Sequence, residues 1–179
     1  SQMSNMSYSP YGVMKRVGEL HTTALNGLIV KFWNVYGIEK DMEKAHVITD
    51  FIRKGFEEGQ FEMMTDGTEE RQFLYAEDCC EALETVMENF TDFKPEDPLH
   101  ITSFHSTTIK DVAHIIRGCF NRIDKYDVKI IPGLAKDSVQ LDKRNEADNY
   151  IFGWWVPKTS IDVGIAKVFN EMKKDYENI

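Results

Sequence analysis

The chain is 179 residues long, 42% hydrophobic, with a formal charge of -9 and a pI near 5.0. That length suits one ordinary domain, or one with a small appendage, and the apolar share is enough for a real core. Net acidity argues against charge-driven binding to nucleic acid or anionic lipid, and no apolar run approaches the ~20 residues of a membrane span. The three cysteines, Cys79, Cys80 and Cys119, have neither a disulfide-framework nor a zinc spacing. The expectation is a soluble, cytoplasmic protein without a metal, with Cys79 and Cys119 as buried thiols on helix faces.

From the N-terminus, SQMSNMSYSP reads as a loop that ends in a helix-starting proline. Apolar spacing predicts a helix from Tyr11 to Leu25, closed by Asn26-Gly27, and then a buried strand from Leu28 to Phe32. Trp33 to Lys44 reads as a loop turning at Gly37. Val47, Ile48, Phe51, Ile52 and Phe56 predict a helix from Ala45 to Glu58 that ends at Gly59. Strands follow at 61–64 and 72–75, separated by a Thr65-Asp66-Gly67 turn. A helix over 77–90 places Cys79, Leu83, Val86 and Phe90 on one stripe, and 92–98 is a linker. A strand at 99–102, a helix capped by Thr107 or Thr108 and running to Phe120, a strand at 128–131, and a polar loop over 135–149 come next. The last helix starts at Ser160, with Ile161, Ile165, Val168 and Phe169 inward. Alternating helices and strands make this an α/β chain.

Tyr11 and Lys15 stand four residues apart, so their side chains leave one helix face one above the other. A phenol is a poor base at neutral pH, and a neighbouring ammonium favours its phenolate form. Such a pair suits proton transfer at a sugar hydroxyl. Alone, Y-x-x-x-K has little specificity.

Four further blocks accompany it in order. Ser9-Pro-Tyr-Gly-Val-Met-Lys-Arg-Val-Gly-Glu19 resembles the S-P-Y-x-x-x-K-x-x-x-E segment of the extended short-chain dehydrogenase/reductase family. Lys31-Phe-Trp-Asn-Val-Tyr-Gly37 is similar to that family's R-x-x-N-x-Y-G, with Lys31 in place of Arg. Asp66 to Asp78 resembles G-x-x-x-R-D-F-x-Y-V-x-D, with Gln72 in place of Asp. Leu99-His-Ile-Thr-Ser with Thr108-Ile-Lys-Asp resembles the N-I-G strand and the helix after it, and Gly153 to Gly164 resembles G-W-x-P-x-x-S-L-x-x-G.

The resemblance implies a fold and a set of roles. The fold is α/β, the C-terminal part of a Rossmann-type doubly wound fold plus a small α/β substrate-binding domain. Residues 1–37 would be a remnant of the NAD-binding part, and 38–179 mainly the nucleotide-sugar region, with about 72–90 returning to the Rossmann sheet. Tyr11 would be the acid/base. Lys15 would hold the nicotinamide ribose of NAD, and Ser1 would be the tail of the catalytic Ser/Thr motif. Asn34 and Arg71 would contact the nucleotide-sugar, Arg71 at its diphosphate. Apart from the resemblance, His46 opens the helix after the Asn34 loop and either faces the substrate or is a solvated helix-end histidine. The strand ending at Met64 would hold the base, partly by backbone. Asp78 would cap the following helix. The glycine-rich phosphate loop of the family is missing, since the 11 glycines form no such cluster. The chain is therefore expected to be an inactive fragment of an NAD-dependent nucleotide-sugar epimerase or dehydratase, and a homodimer. The alternative is a non-catalytic sugar-nucleotide-binding or interaction module.

Overall fold

A computed structural model describes residues 10–39, 41, 45–136 and 146–177. Helix α1 (Pro10–Ala24) opens on Pro10 and closes where Asn26 takes a left-handed turn (φ 55) and the Gly27 N–H reaches Thr22 O at 2.9 Å. The extended chain after it changes partner halfway. Strand β1 (Val30–Phe32) pairs in parallel with β5 (Leu99–Ile101), while β2 (Asn34–Tyr36) pairs in parallel with β4 (Glu70–Tyr75). Trp33 is the switch between them, its N–H still reaching Ile101 O at 3.4 Å.

Strand β2 corrects the loop expected over 33–44. Three residues flanked by Trp and Gly carry too little periodicity to be read, and the strand exists because β4 satisfies its backbone. Helix α2 (Val47–Glu58) ends at Gly59 (φ 68), and β3 (Gln60–Glu62) pairs in parallel with β7 (Lys129–Ile131). Helix α3 (Ala76–Glu88) follows β4 directly. Strand β6 (Ser106–Thr108), also unforeseen, lies antiparallel on β4 and feeds α4 (Ile109–Cys119). Thr108 caps α4 as expected, its hydroxyl oxygen accepting from the Asp111 N–H at 2.9 Å. Helix α5 (Ile161–Glu177) completes the described chain.

Side chains alternate along a strand, and the β2–β4 pair uses this to separate two cores. Tyr36, Phe73 and Tyr75 face one core, where α2, α4 and α5 contribute Ile48, Phe51, Val112, Ile116, Ile165 and Phe169. Leu74 and Val35 face the other, with Cys79, Ala82 and Val86 of α3, Leu99 and Ile101 of β5, and Trp155. Phe90, expected inward, is 50% exposed just past the end of α3, and Phe93 fills that role. Cys79 and Cys119 are buried, as expected. Burial pushes both thiols above their usual range, which keeps them protonated and unreactive.

Asp78 is not the helix cap. Tyr75 holds that position, and Asp78 lies inside the first turn of α3, buried. Its carboxylate accepts from the backbone N–H groups of Lys158 (2.9 Å) and Thr159 (2.7 Å) and from the Thr159 hydroxyl (2.8 Å).

Gly164, in the first turns of α5, lets that helix approach β2. A Cβ there would stand 1.9 Å from Tyr36 Oη and 2.9 Å from its Cζ. Gly→Ala inside a helix normally gains about 1 kcal/mol. Here Gly164→Ala is expected to lose about 1–2 kcal/mol in urea unfolding, because overpacking outweighs propensity. The loss should shrink in a Tyr36→Phe background, where the nearest clashing atom is gone.

Candidate functional site

The face of β2 and β4 that carries Tyr36 and Phe73 continues upward to Asn34 and Arg71. Register pairs Asn34 with Phe73, so Arg71, two residues before Phe73, falls on the same face one step along the diagonal. Helix α2 starts beside them and brings in His46, its N-cap residue. The result is a cleft of about 320 Å³ lined by Trp33, Asn34, Tyr36, His46, Arg71 and Ile109, among others. Three of the residues singled out from the sequence, Asn34, Arg71 and His46, meet here.

The chemistry of the cleft is divided. Arg71 Nη1 donates to the backbone oxygen of Glu70 at 2.9 Å, which braces the guanidinium at the cleft wall. Tyr36 is buried in the cleft wall, its hydroxyl donates to Ile161 O at 3.5 Å, and burial pushes that hydroxyl far above the ordinary phenol range. The His46 backbone N–H donates to Glu39 Oε2 at 2.8 Å, and His46 Nδ1 makes a very short contact with Glu39 Oε1. Partial burial alone would raise the Glu39 carboxyl. Hydrogen bonds from the His46 ring, the His46 N–H and Thr49 more than offset it and hold the group below the usual carboxylate range.

Tyr11 and Lys15 lie outside the lining of this cleft, on α1. They do share one face: Lys15 Nζ stands 5.4 Å from the centroid of the Tyr11 ring, and Tyr11 is 73% exposed. Glu19, the next residue on that stripe, pairs with Arg16 at 2.6 Å and with Lys31 of β1 at 3.1 Å. Lys31 thus tethers the helix to the sheet. Burial pushes the Glu19 carboxyl up, but hydrogen bonds from Arg16 and Lys31 prevail and hold it low.

Met64, beyond the end of β3, is 93% exposed and is not part of the cleft wall. Ser1 lies outside the described residues. A second groove, about 410 Å³, runs between β3, β7 and α4, with Lys110, His114 and Lys129 beside an Arg117–Asp127 fork. It holds none of the residues singled out from the sequence, and the convergence of Asn34, Arg71 and His46 makes the smaller cleft the better candidate. Among the described residues no group of three or more His, Cys, Asp or Glu is placed to hold a metal ion, and no helix is long and apolar enough to cross a membrane.

One lining residue, Trp33, and the partner of another, Glu39, escaped the sequence reading. Trp33, read from the sequence only as the start of a loop, is half-buried, tilts against His100 at 5.9 Å and borders the cleft. Its signal was its place beside Asn34 at the end of a buried strand, where ligand-facing residues gather in α/β sheets. Glu39 had no sequence signal, because its partnership with His46 is made by the fold across seven residues.

The sequence profile described as the NAD dependent epimerase/dehydratase family matches residues 3–101. The chain belongs to that family. It is 29% identical over 143 residues to a GDP-L-fucose synthase of Sinorhizobium fredii, covering 76% of this chain and 43% of that protein. A putative UDP-glucose 4-epimerase of Methanocaldococcus jannaschii is 27% identical over 183 residues, covering 93% and 54%. The UDP-glucose 4-epimerase of Thermotoga maritima, solved with UDP-glucose, superposes with a TM-score of 0.78 at 20% identity over 94% of this chain and 54% of that one. The chain spans about half the length of the curated relatives it matches. The fold is α/β with parallel strand pairs, and it matches about half the length of the Rossmann-fold epimerases it superposes on.

Proposed function

We propose that this chain forms the nucleotide-sugar side, together with the tyrosine–lysine pair, of an NAD-dependent nucleotide-sugar epimerase or dehydratase. The observation that carries this is the convergence of Asn34, Arg71 and His46 on one cleft whose walls are otherwise aromatic and aliphatic. A diphosphate finds a multi-donor cation in Arg71, an amide in Asn34 carries both donors and an acceptor, and Trp33 offers a flat apolar face. Met64 and the end of β3 would hold the base, a placement that family membership supports.

The family uses NAD. Tyr11 and Lys15 fit the nicotinamide-ribose end of such a group, since both are exposed and stand one turn apart on one helix face. NAD, when bound, supplies a reversible hydride acceptor. Tyr11 would take and return the proton of a sugar hydroxyl, and Lys15 would favour the phenolate and hydrogen-bond the ribose. No glycine-rich turn for the pyrophosphate occurs among the described residues, so alone this chain is expected to turn over no substrate. We assign residues 1–37 to the cofactor side and 38–179 mainly to the substrate side, with 72–90 returning to the cofactor side; the core that gathers Val30, Leu74, Cys79, Ala82 and Val86 supports that return, and it also takes in Leu99, Ile101 and Trp155.

Helix α1 has no buried residue and presents Val13, Met14, Val17 and Leu20 beside Tyr11, which supports a homodimer packed through this helix. A cytoplasmic location is our reading of the family and the reduced cysteines.

Calorimetry with UDP- and GDP-sugars, with and without NAD, tests the reading. Binding is expected for at least one sugar nucleotide, and Arg71→Ala should weaken it roughly 10- to 100-fold, the loss of a charge-assisted hydrogen bond. Arg71→Lys should recover only part, because an ammonium lacks the fork. Unchanged affinity in Arg71→Ala removes the diphosphate assignment. Binding that responds to no nicotinamide cofactor would favour the non-catalytic module.

A further inference from the structure

Accepting that the cleft takes a nucleotide-sugar, we infer that Glu39 is a positioning residue: it fixes the His46 ring proton on Nδ1, so that the ring offers a bare Nε2 to a hydroxyl of the sugar nucleotide.

The geometry leaves one arrangement. A carboxylate is acceptor-only, so the ring nitrogen that meets Glu39 Oε1 must carry hydrogen, and in the neutral ring the other nitrogen is then an acceptor. The carboxylate is itself fixed, because Oε2 takes the backbone N–H of the same residue at 2.8 Å. Two anchors on one residue orient the plane of the acid, and the acid orients the ring. The Glu39 side chain is only 24% accessible while that of His46 is 74% accessible, so the sheltered group is the holder and the open group faces the ligand. Thr49, in the first turn of α2, donates to Gly37 O at 3.3 Å and so steadies the segment that leads into Glu39.

This arrangement gives the two ends of the cleft different ligands. Arg71 suits an acceptor-only diphosphate. A bare imidazole nitrogen rejects phosphate oxygen, since neither side brings a hydrogen, and selects a donor. Hydroxyl groups are the donors a nucleotide-sugar presents, on the ribose or on the hexose. A protonated ring would donate from Nε2 instead, so the preference belongs to the neutral form.

Ring nitrogen-15 NMR of the labelled chain, recorded at alkaline pH where the ring is neutral, tests the inference. Native His46 should show a protonated Nδ1 and an unprotonated Nε2. Glu39→Ala should move the proton to Nε2, and Glu39→Gln, whose single amide oxygen can serve the ring or the backbone N–H but whose NH₂ then faces the other donor, should weaken the native preference. Backbone amide shifts away from residues 39–49 report whether each variant is folded. Added UDP-glucose should shift Nε2; UDP alone should do the same if the ribose is the partner, and should fail to if the hexose is. Glu39→Ala should then weaken UDP-glucose roughly 2- to 10-fold, the worth of one neutral hydrogen bond. A native ring protonated on Nε2, or an unchanged tautomer in folded Glu39→Ala, overturns the positioning role. A native tautomer as stated, with Arg71 guanidinium signals responding to UDP-glucose and His46 silent, overturns the hydroxyl contact and leaves the proposed function standing. Silence at both residues, with GDP-mannose as well, overturns both.

Discussion

Tyr11→Phe, in an enzyme that joins this chain to an NAD-binding part, is expected to lower kcat roughly 100- to 10,000-fold. The substitution deletes one oxygen from a ring that is 73% exposed on a helix without buried residues, so folding stability should move by less than about 0.5 kcal/mol. The change removes the hydroxyl proposed to carry the sugar proton while leaving the cleft of Asn34 and Arg71 intact. KM should therefore stay within a few-fold of native, and the loss should sit in kcat. Lys15→Met should reproduce part of the loss, because the ammonium that stands 5.4 Å from the Tyr11 ring centroid, proposed to hold the cofactor ribose, is gone. A Tyr11→Phe enzyme with near-native kcat removes Tyr11 from the chemistry, whatever the cleft binds.

The parts of this fold that the sequence made legible are those with a long period. Helices α2, α4 and α5 bury Ile48, Phe51 and Ile52, then Val112 and Ile116, then Ile165, Val168 and Phe169, each on the stripe that 3.6-residue spacing picks out. Strands β2 and β6 have three residues each, too few for alternation to rise above chance, and both exist by pairing with β4. The same limit applies to the cleft. Asn34 and Arg71 were found through motif resemblance and His46 through its place at a helix start, yet their meeting depends on the register of β2 with β4 and on where α2 begins. Local sequence encodes neither. Lys31 shows the opposite case: it departs from the arginine of the resembling motif, but its contact with Glu19 at 3.1 Å needs only one positive charge, so the departure costs the tether little.

Asp78→Ala is expected to destabilise the chain by about 3 kcal/mol, lowering Tm by on the order of 10 °C. The reason lies in where the chain passes. Trp155 is buried in the core shared by α3, β1 and β5, whereas Ile161, six residues later, packs on the core beneath α2 and α4. The segment between crosses from one core to the other and is held by the Asp78 carboxylate through two backbone N–H groups and one hydroxyl, at 2.7 to 2.9 Å. Truncation to Ala strands those donors beside a buried void, and nothing then fixes the start of α5, whose Gly164 must stay against Tyr36. Asp78→Asn should cost only about 1 kcal/mol, because its amide oxygen can take both backbone N–H groups while its NH₂ donates to the Thr159 oxygen. The ordering is the test: an Asn variant as unstable as Ala means that charge, not hydrogen-bond geometry, holds the crossing. An Ala variant as stable as native means that α5 is held by its own apolar stripe, and that the two motifs, Tyr75 to Asp78 and Gly153 to Gly164, share no energetic link.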